Sequence, residues 1–288
     1  MTQTPPPTPP APAPMTAETG AAGQPPGSAG RLRTVNTVGL AAPLRWLAGG
    51  LGALLAAPLP CLVYGAAVAL LSFGIWQALI ETNLAFWALS LSCGFVFVAP
   101  MLAMGLYEAG GAIERGEQPS LVRMFIVRGA MRADLCYLGL MLVLIYLFWG
   151  RVAQIVYGLS TYRLHRTVQE FTAFAMGTPE GHAMMISGTV VGGLMAFFTF
   201  AITVTSAPML LDQNANVFEA VFTSLRCVAK NFAPLLLWAA LIAGLLVISA
   251  STAWLGLVLV FPWLGLASWK AYRDLVGDAP PLEPARGL

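Results

Sequence analysis

Charge is what this sequence lacks. Only 10% of its 288 residues are Asp, Glu, Lys or Arg, against about 25% in an ordinary soluble domain. Hydrophobic residues make up 58%, and the mean hydropathy is +0.75. This composition excludes a soluble globular domain and predicts a polytopic membrane protein. The net charge of +2 is too small for a nucleic-acid-binding surface, so no nucleic-acid partner is expected. The lipid bilayer is the first partner.

Metal-binding and catalytic spacings are also missing. Cys61, Cys93, Cys136 and Cys227 stand too far apart for CxxC or zinc-knuckle spacing, and they read as small buried apolar side chains. His165 and His182 share no helical face. HExxH, GxSxG, GxxxxGK[ST] and GxGxxG do not occur. No catalytic residue, cofactor or metal is therefore expected. The spans lack central ionisable groups, which argues against an ion-coupled carrier.

Residues 1–33 are rich in Pro and Ala and have no apolar core of a signal peptide. They read as a disordered cytoplasmic tail. Residues 34–276 read as the membrane domain and 277–288 as a short cytoplasmic tail.

A spanning helix needs about 20 mostly apolar residues. Six segments qualify: 60–80, 84–106, 135–156, 185–211, 234–251 and 252–269. The first pair turns at Glu81-Thr82-Asn83, and the last pair at Ser249–Thr252. Three further segments, 37–57, 120–134 and 216–231, are amphipathic and read as helices lying at the membrane surface. Trp46 in the first is suited to the headgroup level. In the third, Val217, Val221, Leu225 and Val228 form the apolar face. The whole is thus an all-α bundle of about six spans in three hairpins, each preceded by an interfacial helix.

Prolines recur near the ends of the second span of each hairpin: Pro100, Pro208 and Pro262. Proline removes a backbone donor and kinks the helix, so packing or hydroxyl groups must satisfy what is freed. Hydroxyls along 185–211 and the run Gly188-x-x-x-Gly192-Gly193 predict close helix packing. With six spans, twelve of the 15 Lys and Arg fall on the side of both termini. Arg151, Arg163 and Arg166 fall on the other. The bias predicts an inner-membrane protein with both termini cytoplasmic. The one long far-side connection, 157–183, carries both histidines; it reads as a capping helix, with a sensor surface as the alternative.

Three blocks carry a resemblance: GLYEAGGAIERGEQPSL (105–121), SAPMLLDQNANVFEAVFTSLRCVAKN (206–231) and FPWLGLASWKAYRDLV (261–276). They resemble the bacterial DUF2189 family of predicted integral membrane proteins, over about 31–276. The resemblance implies a six-span inner-membrane protein and supplies no catalytic residue. In the third block relatives often read LGHATWH; Leu266 and Lys270 stand here at the histidine places.

The role expected from these readings is non-enzymatic: a membrane interaction or assembly factor with a membrane-protein partner. The alternative is a small-molecule or lipid transporter gated at the proline-broken spans. Glu108, Pro100, Pro208, Asp212 and Pro262 form the candidate functional surface. Asp212 and Glu108 are expected to pair with Arg226 or Arg123.

Overall fold

The computed structural model describes residues 33–81, 95–127, 129, 132–161, 163, 165, 167–213 and 215–277. All but the last residue of the tail expected over 1–33, the turn at Thr82-Asn83, the stretch 84–94 of the second span, and 278–288 lie outside the described residues. The described chain is all-helical, apart from an isolated antiparallel bridge between Val35 and Val276. Its helices are α1 (Ala42–Ala56), α2 (Pro58–Glu81), α3 (Phe95–Leu102), α4 (Met104–Glu114), α5 (Leu121–Phe125) and α6 (Ala133–Ser160). There follow α7 (Val168–Gly177), α8 (Pro179–Thr203), α9 (Ser206–Asp212), α10 (Val217–Lys230), α11 (Phe232–Ser251) and α12 (Leu257–Leu275).

Four segments among the described residues are long and apolar enough to cross a membrane: Pro58–Ala78, Ala133–Ser160, Pro179–Asp212 and Phe232–Ser251. Within an apolar 18-residue stretch of each, only 17–28% is buried in the protein, so most of the surface there is left for lipid. Leu70 on α2, Leu144 on α6, Leu194 on α8 and Val247 on α11 are among these exposed groups. The other two expected spans take different forms. The described part of the second is divided at Ala103 into α3 and α4. The sixth starts at Leu257 and carries Lys270, Arg273 and Asp274 in its last turns.

That last helix is the core of the fold. Leu257, Leu266, Ala267, Ala271, Tyr272 and Leu275 of α12 are completely buried, against α1, α2 and α4. Glycines bring the backbones close, as small residues do in membrane helix packing. A Cβ on Gly50 of α1 would stand 2.7 Å from the Ala267 amide nitrogen. One on Gly65 of α2 would strike the Val258 carbonyl. One on Gly110 of α4 would stand 2.6 Å from the Trp269 ring. The Gly188–Gly192 run does the same for α6 and α8: a Cβ on Gly192 would meet Trp149 at 2.8 Å.

The amphipathic segments differ in detail from the sequence reading. At 15 residues, α1 is about 22 Å long, short of the roughly 30 Å hydrocarbon core. Trp46 is buried rather than facing the headgroups: its ring meets Trp238 edge-on at 5.7 Å, and its Nε1 donates to Asp274 Oδ2 at 2.9 Å. A polar partner in the core is why this indole turns inward. Segment 120–134 is not one helix, because α5 ends at Phe125. Arg132 instead donates to the Leu210 and Gln213 carbonyls at 3.2 and 2.9 Å, covering the free end of α9. On α10 the core side is Ala220, Thr223, Ser224 and Cys227. The expected apolar face packs inward beside them: Val228 is buried, and Val217, Val221 and Leu225 are partly buried against the core. Small residues make the closest contacts with the neighbouring helices, and Phe218 and Phe222 face outward. Cys136 is exposed on α6, contrary to the buried reading, whereas Cys61 and Cys227 are buried.

The long connection is a cap. Thr167 and Glu170 form a capping box that starts α7, and Thr178 caps α8. Tyr157, Phe171, Ala175 and Met184 make a small core of their own. His165 stacks on Phe174 with ring centroids 4.6 Å apart, and its Nδ1 lies 2.8 Å from the Tyr157 hydroxyl.

Both ends of the described chain meet. The Asn36 amide donates to the Leu275 carbonyl at 2.9 Å. Asn231 accepts from the Val38 amide at 2.8 Å and donates to the Asn36 carbonyl at 2.9 Å. Lys230 Nζ donates to the Val35 carbonyl at 2.7 Å. Arg226 donates to the Arg33 carbonyl at 3.2 Å, and Arg33 in turn pairs with Glu219.

Candidate functional site at the broken helices

Two helices are interrupted near their prolines, and each break is satisfied by a hydroxyl from a neighbour. At the α8–α9 break, Ser224 of α10 donates to the Ala201 carbonyl at 2.7 Å and accepts from the Thr205 amide at 3.3 Å. Ser206 and Thr203 donate back to Ile202 and Thr199 carbonyls at 2.6 and 2.8 Å. At the α3–α4 break, Tyr64 of α2 donates to the Leu102 carbonyl at 2.7 Å. These bonds replace the ladder that the interruption removes. Pro262 behaves differently, because α12 continues through it.

Beyond the breaks lies an ionic cluster. Tyr272 donates to Asp212 Oδ2 at 2.8 Å and accepts from Gln213 Nε2 at 2.6 Å. Arg273 stands 3.5 Å from Asp212 and 3.3 Å from Glu114. Lys270 Nζ closes on Glu114 at 2.9 Å. Burial, followed by the charge of Asp212, pushes the Tyr272 phenol far up, so it stays a donor at any physiological pH. The three quoted blocks therefore converge: Glu114 comes from the first, Asp212 and Gln213 from the second, and Lys270, Tyr272 and Arg273 from the third.

A cavity of about 400 Å³ sits beside the breaks, between α3, α4, α8, α11 and α12. Pro100 and Ala103 line it from one break, and Thr203 and Val204 from the other.

The expected site residues divide accordingly. Pro100 lines the cavity. Pro208 is buried in α9. Pro262 faces α2, against Gly65. Asp212 anchors the ionic cluster. Glu108 is half-buried on α4, and among the described residues no hydrogen bond or ion pair reaches it. The expected pairings are not the ones formed. Asp212 binds Tyr272 and Arg273 of α12, Arg226 holds the Arg33 carbonyl, and Arg123 pairs with Glu117. The core helix supplies the partners because its last turn passes directly over the end of α9. Tyr272, Gln213, Glu114 and Ser224 were missed as site residues. Their signal was present, since each lies in one of the three blocks.

The parts of the cluster differ in weight. The Glu114 pairs are about a third exposed, and such pairs contribute about 0–1 kcal/mol. The Asp212 side chain is only 12% exposed. Tyr272→Phe leaves the Gln213 amide without its acceptor and Asp212 without its shortest donor. It is expected to destabilise by about 1–3 kcal/mol. Glu114→Gln should cost less than about 1 kcal/mol. Melting of the purified variants in mild detergent checks the order, and equal losses would contradict it.

Burial pushes the Cys227 thiol up to about 11, which removes it as a nucleophile near neutrality. Among the described residues no group of three His, Cys, Asp or Glu is placed to hold a metal. No curated protein and no solved structure matches the chain. Residues 88–212, which hold all of the first block and the opening of the second, match the family model of DUF2189, predicted integral membrane protein, the family that the sequence blocks resemble.

Proposed function

We propose that this integral membrane protein is a non-enzymatic interaction or assembly factor of the bacterial inner membrane. The reading rests on the convergence of the three blocks on one ionic cluster. Its carboxylates are held by Tyr272, Arg273 and Lys270, an arrangement that fixes helix ends and holds no activated nucleophile. The chain crosses the bilayer six times with both termini cytoplasmic. The pairing of Val35 with Val276 supports an even number of crossings, and the Lys and Arg bias supports the side. A C-terminal green fluorescent protein fusion should fluoresce, and a C-terminal alkaline phosphatase fusion should be inactive. The reverse pattern would overturn the orientation.

Crosslinking and co-purification from native membranes tests the role. A stoichiometric membrane-protein partner, lost from Asp212→Asn with Tyr272→Phe, is the expected result. Recovery of the chain alone would overturn the reading. The transporter alternative draws on one observation, the cavity beside two broken helices. Altered accumulation of a solute or lipid on deletion would favour it.

A further inference from the structure

We propose that the cavity between α3, α4, α8, α11 and α12 holds an acyl chain of a membrane phospholipid. Its volume of about 400 Å³ falls in the range of about 300–1,000 Å³ common to small-ligand sites. Among the described residues no Asp, Glu, Lys, Arg or His lines it. Small side chains leave the space open, among them Gly193, Ala196, Ala239 and Ala243. Tyr107, Thr203 and Ser268 contribute the hydroxyls of the wall, and that of Thr203 is already spent on the Thr199 carbonyl.

The breaks explain how the wall stays apolar. The polar groups freed at each interruption are satisfied by Ser224 of α10 and Tyr64 of α2. Neither residue lines the cavity. An apolar void of this kind excludes water, and left empty it forfeits contact energy along its whole lining. The lining comes from the C-terminal half of α8 and from the middle of α11 and α12. From there α8 runs through the break into α9 and Asp212, and α12 runs on to Tyr272, so the cavity lies between the middle of the bilayer and the ionic cluster. The apolar molecule always present there is a lipid chain. A free fatty acid fits less well, because the described lining offers no cation to its carboxylate. A phospholipid keeps its headgroup at the surface and inserts only the chain. This inference concerns occupancy and stands independently of the assembly reading.

The test uses the full chain in vesicles of phosphatidylethanolamine containing a phospholipid with a mid-chain diazirine. After irradiation, adducts are mapped by peptide mass spectrometry. Labelling should concentrate on Ala196, Ala239 and Ala243. A Cβ on Gly193 meets nothing within 4 Å, so Gly193→Leu grows into open space and should cut that labelling about fivefold or more, equivalent to about 1 kcal/mol of binding. Ala243→Leu should act alike. Outer-face labelling at Leu144 and Leu147 should not change in either variant. Wild-type labelling confined to the outer faces overturns the proposal without recourse to any variant. Unchanged cavity labelling in both folded variants also overturns it. Loss of cavity labelling to excess free palmitate would overturn the assignment to a phospholipid.

Discussion

Gly50→Leu is expected to destabilise the membrane domain by about 3 kcal/mol. The helix containing Gly50 crosses the core helix with no room for a side chain. An added Cβ would stand 2.7 Å from both the amide nitrogen and the Cβ of Ala267. Both contacts belong to the backbone or its first carbon, so no rotamer change relieves them. The first helix must move outward, carrying Trp46 away from Asp274 and Trp238. Gly52 offers the control, since a Cβ there meets nothing within 4 Å. Gly52→Leu should match the wild type or gain up to about 1 kcal/mol from removing a mid-helix glycine. Thermal melting and the yield of monodisperse protein in mild detergent report both. If the two variants melt together, the close crossing is wrong.

Ser224→Ala removes a single oxygen and is expected to cost about 2–5 kcal/mol. That oxygen serves the Ala201 carbonyl and the Thr205 amide together, and each buried group left unpaired costs about 1–3 kcal/mol. The neighbouring residue gives the opposite expectation. The buried Thr223 hydroxyl has no hydrogen-bond partner among the described residues. Thr223→Val keeps the shape and removes an unsatisfied group, so it should be neutral or stabilising by up to about 1 kcal/mol. The pair separates a polar contact that closes a helix break from polarity alone. Equal melting of Ser224→Ala and wild type would show that the break is satisfied in another way.

Proline placement was enough to locate the helix breaks approximately, because a missing donor is a local fact. It could not identify what satisfies them. Ser224 and Tyr64 reach the breaks from helices 19 and 38 residues away in sequence, and no local pattern announces such a partner. The fate of Pro262 was equally hidden. It shares the apparent setting of Pro100 and Pro208, yet its helix runs on because α1, α2 and α4 enclose it.

The amphipathic segments show the same limit. Helical spacing along 216–231 identified the helix over Val217–Lys230. The same spacing set the inward face, since Val217, Val221, Leu225 and Val228 all pack against the core, but it did not show the fully buried small residues Ala220, Thr223, Ser224 and Cys227 beside them. Likewise, Trp46 on an apolar segment suggested the headgroup level, and only the position of Asp274 turned it into the core.

By itself, the sequence determined the membrane class, the helical character and most of the span positions. Each of these depends on composition or on order over tens of residues, where hydrophobicity and helix period dominate. The tertiary structure decided which charges pair, that α12 forms the core, and that two broken helices leave an apolar cavity. Those features depend on groups far apart in the chain meeting within a few ångströms, and spacing along one chain does not encode which helix passes over which.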